Sequence, residues 1–305
     1  MKAYIAKRLL QSVLVLLGVS VFSFAFIFLT GDPVAPLVGP DWTQEAVEEL
    51  RRELGFDRPI PVQYLDFLTN AIRGDFGNSL RHHRPVFQLL VERLPATIEL
   101  AGIALVLSII IGIPLGILSA VRRGSGIDQA SMSFALLAQA MPTFWLGIML
   151  ILLVGVDLRW LPPSGRGTIA HLILPAITLA TYGIARNARL VRSSMLDVLQ
   201  QDYIRTARSK GLGPNVVIYK HALRNALIPV ITIIGLDFGS LLAGAVITET
   251  VFAWPGVGRL IVSAVAGRDL PLVQAALLSI GALFTLMNIV VDLAYAVVDP
   301  RIRYG

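Results

Sequence analysis

Six stretches of this chain run for most of a bilayer's thickness with almost no charge, and that pattern limits the fold more than any motif does. They cover Leu9–Thr30, Leu100–Val121, Gln129–Val156, Ile169–Ala185, Leu227–Ile247 and Leu270–Val291. Five hold no Asp, Glu, Lys or Arg, and the fifth in order holds only Asp237. An apolar run of about 18 residues or more reads as a helix crossing a membrane. Backbone N–H and C=O groups in hydrocarbon must be satisfied within the segment, so spans of this length are helical. The expectation is an all-α polytopic membrane protein with six transmembrane helices.

Composition agrees with that class. Hydrophobic residues make up 55% and charged residues 15% of the chain, with a mean hydropathy of +0.71. A soluble domain carries roughly 25% charged residues. The apolar run after Lys2, Lys7 and Arg8 is too long for a signal peptide, and no small-residue cleavage site follows, so it reads as a retained helix. No cysteine is present, which excludes disulfides and thiolate metal sites. The net charge of +6 comes without any nucleic-acid-binding motif and has a simpler cause in the cytoplasmic excess of Lys and Arg. With the N-terminus inside, 1–8, 122–128, 186–226 and 299–305 fall in the cytoplasm. All four lysines, Lys2, Lys7, Lys210 and Lys220, lie on that side. Both termini are therefore expected in the cytoplasm.

The spans are built to pack. Pro114, Pro142 and Pro175 interrupt the second, third and fourth, and each frees a carbonyl that a neighbour must satisfy. Gly112 with Gly116, Gly239 with Ala243, and Ser240 with Gly244 have the small-xxx-small spacing that lets helix backbones approach. Between the first two spans, residues 31–98 read as a small helical segment outside the membrane. Asp41 or Thr43 is placed to cap "QEAVEELRRELG", which Gly55 stops, and "VQYLDFLTNAIRG" follows Pro59 and Pro61. His82 and His83 are adjacent, would point apart on a helix, and make a poor metal pair.

Enzymatic signatures are missing from the sequence. It has no GxxxxGK[ST], no H-E-x-x-H and no G-x-S-x-G. An energy source, if one is used, belongs to a partner, and no cofactor or metal is expected on this chain.

One polar stretch stands apart, "DYIRTARSKGLGPNVVIYKHALRNALIP" from Asp202 to Pro229. As a helix over Asp202–Leu212 it places Tyr203, Ile204, Ala207 and Gly211 on one face and Arg205, Arg208 and Ser209 on another. Gly211, Gly213 and Pro214 then break it before a second short helix over Asn215–Asn225. Attraction to anionic lipid would explain the charge. It does not explain small residues and glycine at set positions, which suit insertion into a cleft.

"DYIRTARSKGL" followed by "HALRNALIP" resembles the coupling loop of ABC importer permeases, specifically the dipeptide, oligopeptide, nickel and glutathione permease family. The resemblance continues through "GDP" at 31–33, "GDFGNS" at 74–79, "LPATIEL" at 94–100, "RWLPPSG" at 159–165, "ETVFAWPGVGRL" at 249–260 and "VDLAYAVVDPRIRYG" at the C-terminus. The order and spacing of these pieces match the first of the two permeases such systems use. The broader superfamily pattern, E-A-A-x3-G, keeps only its last alanine here, at Ala207 before Gly211.

The resemblance implies a type I ABC importer permease fold. It divides the chain into a first span (1–30), an extracytoplasmic segment (31–93), a permease domain (94–298) with its coupling loop at about 193–226, and a tail (299–305). It implies a second homologous permease, two P-loop ATPases that use ATP and Mg, and an external substrate-binding protein. Tyr203, Ile204, Arg205, Thr206, Ala207, Arg208, Lys210, Gly211 and Leu212 would then sit against an ATPase, with Ala207 and Gly211 allowing close approach. Asp237 and Phe238 are expected on the solute path or in a helix contact, and Glu249 in an outer gate or binding-protein contact. Asp292 reads as structural and His171 as interfacial. The rival reading is an ion-coupled secondary transporter with Asp237 and Asp292 as the relay. It predicts an inverted repeat, and none is clear in the sequence.

Overall fold

In the computed structural model, residues 2–29, 34, 38, 41–53 and 55–298 are described; the side chains of 2–7, 27, 28, 232, 235–237 and 291–298 lie outside the description. The motif at 31–33 and the tail at 299–305 therefore lie outside it as well. The described residues are helical, with one isolated bridge between Asn78 and Pro85 in place of any strand. They form two compact units, 1–96 with 255–290, and 97–254 with the remainder.

The first unit holds α1 (Lys2–Leu29), α2 (Gln44–Glu53), α3 (Ile60–Ile72), the start of α4 (Val86–Val121), α10 (Val257–Ala266) and α11 (Leu270–Val298) up to 290. Thr43 is the cap of α2, its Oγ1 accepting from the Ala46 N–H at 3.3 Å, and Gly55 beyond it takes a φ of +73°. α3 begins at Pro59 and carries Pro61 in its first turn, where no N–H is needed. It lies against α1, with Tyr64 and Ser20 hydroxyls 2.8 Å apart and Phe24 beside Tyr64 and Phe67. Val86, Leu89 and Leu90 share an apolar core with Val257, Leu260, Ala264, Leu272 and Val273. The buried Asp269 carboxylate caps α11 through the Leu272 N–H and also accepts from the Ser79 hydroxyl and the Leu80 and Arg81 N–H groups. That carboxylate fixes the 79–84 turn. His82 and His83 sit in this turn, not on a helix, and His83 has a φ of 51°. Among the described residues no group of three or more His, Asp or Glu side chains could hold a metal ion.

The second unit is built around α7 (Ile169–Leu199). Where the sequence gives a span ending near Ala185, the helix runs on to Leu199. Its neighbours' registers give its direction. A Cβ added to Gly112 on α4 would stand 2.9 Å from the Ile184 carbonyl oxygen, and one added to Gly116 would stand 2.5 Å from that of Ala188. The small-residue pair expected at Gly112 and Gly116 is thus the α4–α7 contact. Partner numbers rise together, so α4 and α7 run parallel. α9 (Leu223–Val251) runs the other way, with Leu179 against Gly244 and the Arg186 guanidinium donating to the Ile233 carbonyl at 3.3 Å.

Between α4 and α7 the chain forms α5 (Gly126–Ala140) and α6 (Thr143–Leu150), the latter continuing as a π-helix over Ile151–Asp157. The two axes bend by 104° at Met141–Pro142. The bend has an identifiable cause, since Pro142 cannot donate and forces the preceding residue out of the helical region. Because α4 and α7 are parallel, residues 122–168 must return from one end of the pair to the other. The bent helices are that return. Pro114 and Pro175 by contrast lie within helices that continue past them.

By length and composition, four helices among the described residues can cross a membrane, and five with the bent pair.

Candidate functional site

The polar segment between α7 and α9 folds as a short helix and a π-helical turn. α8 (Asp202–Ser209) starts from the extended Gln201, with Asp202 in its first turn and Arg208 in its last, both favourable to the helix dipole. It ends at Lys210, and Gly211 beyond takes a φ of +77°, the left-handed conformation glycine adopts without strain. The Gly211 N–H donates to the Arg208 carbonyl at 2.9 Å. The second half differs from expectation. It is a π-helical stretch, Val216–Ala222, that runs without a break into α9, so the expected second short helix is the start of a long one.

An eight-residue helix has little stability in water by itself, so what holds α8 is packing. Ile204, fully buried, and Ala207 enter a core made by Ile117 and Ala120 of α4, Val191 and Met195 of α7, and Val217, Ala222, Ala226 and Val230. At the edge, the Asn225 amide donates to the Tyr203 hydroxyl at 2.7 Å. This corrects the single face read from the sequence. Ile204 and Ala207 point into the protein, and neither is presented to a partner. Tyr203, 41% exposed, belongs to the outer surface with Arg205, Thr206, Arg208, Lys210, Gly211 and Leu212. A Cβ at Gly211 would meet nothing within 4 Å. Val216 and Tyr219 extend the surface beyond the expected stretch. The result is a rigidly seated, cationic and aromatic ledge.

A buried ion pair supports the ledge, and the sequence reading missed it. The Asp128 carboxylate on α5, 4% exposed, takes both forks of Arg192 on α7, at 2.6 and 2.8 Å. Its oxygens also accept from the Ser119 hydroxyl of α4 and from the Gly124 N–H at 2.9 Å. Three helices are tied at one point, within one turn of the Val191 and Met195 side chains that seat α8. The only hint in the sequence was Ser125 three residues before Asp128, the spacing of a helix cap; Ser125 does accept from the Asp128 N–H.

The expected path residues are not brought together. Asp237 lies within α9, but its side chain and that of Asp292 are outside the described residues. Phe238 is buried. Glu249 is fully buried in the last turn of α9 and accepts from the Thr97 hydroxyl at 2.6 Å. His171 caps the start of α7 through Thr168, at 2.9 Å between Nδ1 and the hydroxyl.

Comparison with known proteins bears on this arrangement. Residues 112–304 match the family model described as "Binding-protein-dependent transport system inner membrane component", and residues 1–101 match the model for the N-terminal part of such membrane components. The chain is 42% identical over 313 residues to a probable peptide ABC transporter permease protein of Sinorhizobium fredii, covering 100% of both. It is 42% identical over 337 residues to a dipeptide transport system permease protein of Escherichia coli, covering 100% of this chain and 99% of the relative. A putative peptide transport system permease protein of Brucella abortus is 44% identical over 313 residues, with 100% of both covered. Among solved structures, a chain of the inward-facing MetNI methionine ABC transporter superposes with a TM-score of 0.59 at 20% identity, over 70% of this chain and 97% of that one. A chain of an amino acid ABC transporter gives 0.51 at 17% identity, over 70% and 94%. At those identities the likeness concerns the fold alone.

Proposed function

The chain belongs to the family of binding-protein-dependent transport system inner membrane components, and from that premise we propose that it is the permease subunit of an ATP-driven ABC importer for small peptides. The observation that carries the coupling role is α8. Its apolar pair is sunk into the core under α4 and α7 while its basic and aromatic side faces outward. A push on the ledge from an ATPase is therefore transmitted to α4, α7 and α9 as rigid bodies, because packed interiors deform little.

The six-span, N-in arrangement of the type I importer permease fits this reading. The parallel α4–α7 pair, the bent pair between them and the antiparallel α9 supply four spans, and α1 and α11 complete six. In this scheme the first span (1–30) and an extracytoplasmic segment (31–93) precede a permease core over 94–298. Both termini are cytoplasmic, and the exposed Tyr203, Arg205, Thr206, Arg208, Lys210, Gly211 and Leu212 meet the ATPase. Two ATPase subunits use ATP and Mg, a second permease completes the pathway, and an external binding protein delivers the solute; this chain itself is non-catalytic. The peptide assignment follows the relatives' names. Those names also favour an importer over an ion relay through Asp237 and Asp292.

The test is purification and uptake. The chain is expected to copurify with ATPase subunits, and proteoliposomes holding the complex and its binding protein are expected to accumulate a labelled dipeptide only with ATP. Uptake without any ATP-hydrolysing subunit would refute the reading.

A further inference from the structure

α7 has a stripe that neither the core nor the coupling ledge uses. Tyr182, Arg186, Arg189 and Ser193 recur at spacings of four, three and four, so they share one face of the helix. Tyr182 is 51% exposed, and Arg189 and Ser193 are exposed as well. Arg186 is half-buried and donates to the Ile233 carbonyl. Arg189 forms no hydrogen bond or ion pair among the described residues. Off this face and towards its start the same helix exposes Ile169, Ile173 and Ile177, and one turn past Ser193 it exposes Asp197.

Depth is what makes this stripe informative. α4 ends at Val121, and Arg122 and Arg123 mark its charged end. Gly116 lies about 9 Å along the helix from Arg122, and Gly112 about 15 Å. Gly116 is the position in contact with the Ala188 carbonyl, and Gly112 with Ile184 and Asn187. Arg189 and Arg186 thus sit within the span of α4, well short of its charged end, where the sequence alone had put them in a cytoplasmic loop. A cation facing hydrocarbon costs about 2.5–3.5 kcal/mol on insertion scales, and such residues turn instead towards a water-filled cavity or another protein. The stripe carries two guanidiniums, a phenol and a hydroxyl. Two guanidinium charges beside two hydroxyls that can donate match a carboxylate.

The geometry points to this face of α7 as a wall of the aqueous solute path towards the cytoplasmic end, with Arg189 taking the carboxylate of a passing peptide and Tyr182 at the entrance to that stretch. This rests on the peptide-importer reading. It adds an anion-holding position that the coupling ledge does not provide.

The chain has no cysteine, so single thiols report directly. Tyr182→Cys, and separately Ile110→Cys on an exposed apolar position of α4, are placed in the assembled transporter and treated with membrane-impermeant thiol reagents of opposite charge. Position 182 is expected to react and position 110 to stay protected. At about 10 Å through water the Arg189 charge adds about a fourfold preference for the anionic over the cationic reagent to that of Arg186, and Arg189→Gln is expected to lower the preference by about that factor. In uptake, Arg189→Gln is expected to lower dipeptide transport about tenfold while Arg189→Lys retains most of it and binding-protein-stimulated ATP hydrolysis persists in both. No reaction at position 182 in the complex would overturn the wall, because the face would then be covered by the second permease or by lipid. Equal labelling at 110 and 182, or a charge preference unchanged by Arg189→Gln, would overturn it too. Unchanged dipeptide uptake in Arg189→Gln, or loss of ATP hydrolysis along with uptake, would overturn the carboxylate role. A wild-type complex that labels as expected but takes up no peptide would instead defeat the peptide reading, and the carboxylate role with it.

Discussion

Replacing Ile204 by alanine isolates the seating of α8 from the chemistry of its outer surface. Ile204 is fully buried among Ile117, Val191, Met195 and Val217, and its truncation leaves a hole under a helix of eight residues. Large-to-small changes of this kind cost about 2–5 kcal/mol. Even about 2 kcal/mol shifts the ratio of seated to unseated helix roughly thirtyfold. Because α8 is too short to persist alone, the unseated state is open to protease at Arg205, Arg208 and Lys210. When opening is fast relative to cleavage, the cutting rate follows the open population. Limited trypsinolysis of the detergent-solubilised complex should therefore cut this segment at least tenfold faster in Ile204→Ala than in the wild type. The same variant should hydrolyse ATP while moving less solute per ATP, since the ledge would yield instead of pushing. Unchanged cleavage together with unchanged solute moved per ATP would refute the account of α8 as a helix held by its buried pair.

Other outcomes follow from the same geometry. Gly211→Ala should cost only about 1 kcal/mol from its left-handed φ, since a Cβ there meets no neighbour, whereas Gly211→Trp should uncouple ATP hydrolysis from uptake without loss of membrane insertion, as read by transport per ATP. Arg192→Met strands the buried Asp128 and should destabilise by about 3–5 kcal/mol, seen as a lowered thermal midpoint, while the double change with Asp128→Leu should recover most of it. Gly116→Ala forces a methyl to 2.5 Å from the Ala188 carbonyl and should lower the thermal midpoint, whereas Gly18→Ala, in open space, should not.

How much could be read from residues alone is clear from particular places. Charge-free length fixes the helices, because hydrocarbon tolerates no unsatisfied backbone, and Thr43, Gly55 and Gly211 mark their ends through local hydrogen bonding and φ preference. The glycine pair at 112 and 116 announces a close helix contact, again a local property of having no side chain. The coupling stretch was legible as a region by its motif.

Which of its residues face outward was not legible, nor was the depth of the α7 arginines, because both depend on partners distant in sequence. Ile204 and Ala207 are buried only because α4 and α7 arrive beneath them, and Arg192 finds Asp128 across 64 positions of chain. Hydropathy read along a chain ends a span where charge begins, so it ended the fourth span before Arg186; the contact with α4 places that arginine beside the apolar run of α4. The sequence by itself determined which segments are helices and that they cross a membrane, since those are properties of each segment and its solvent. Only the tertiary structure decided which side of each helix is buried and which is left exposed, since that is a property of what packs against it.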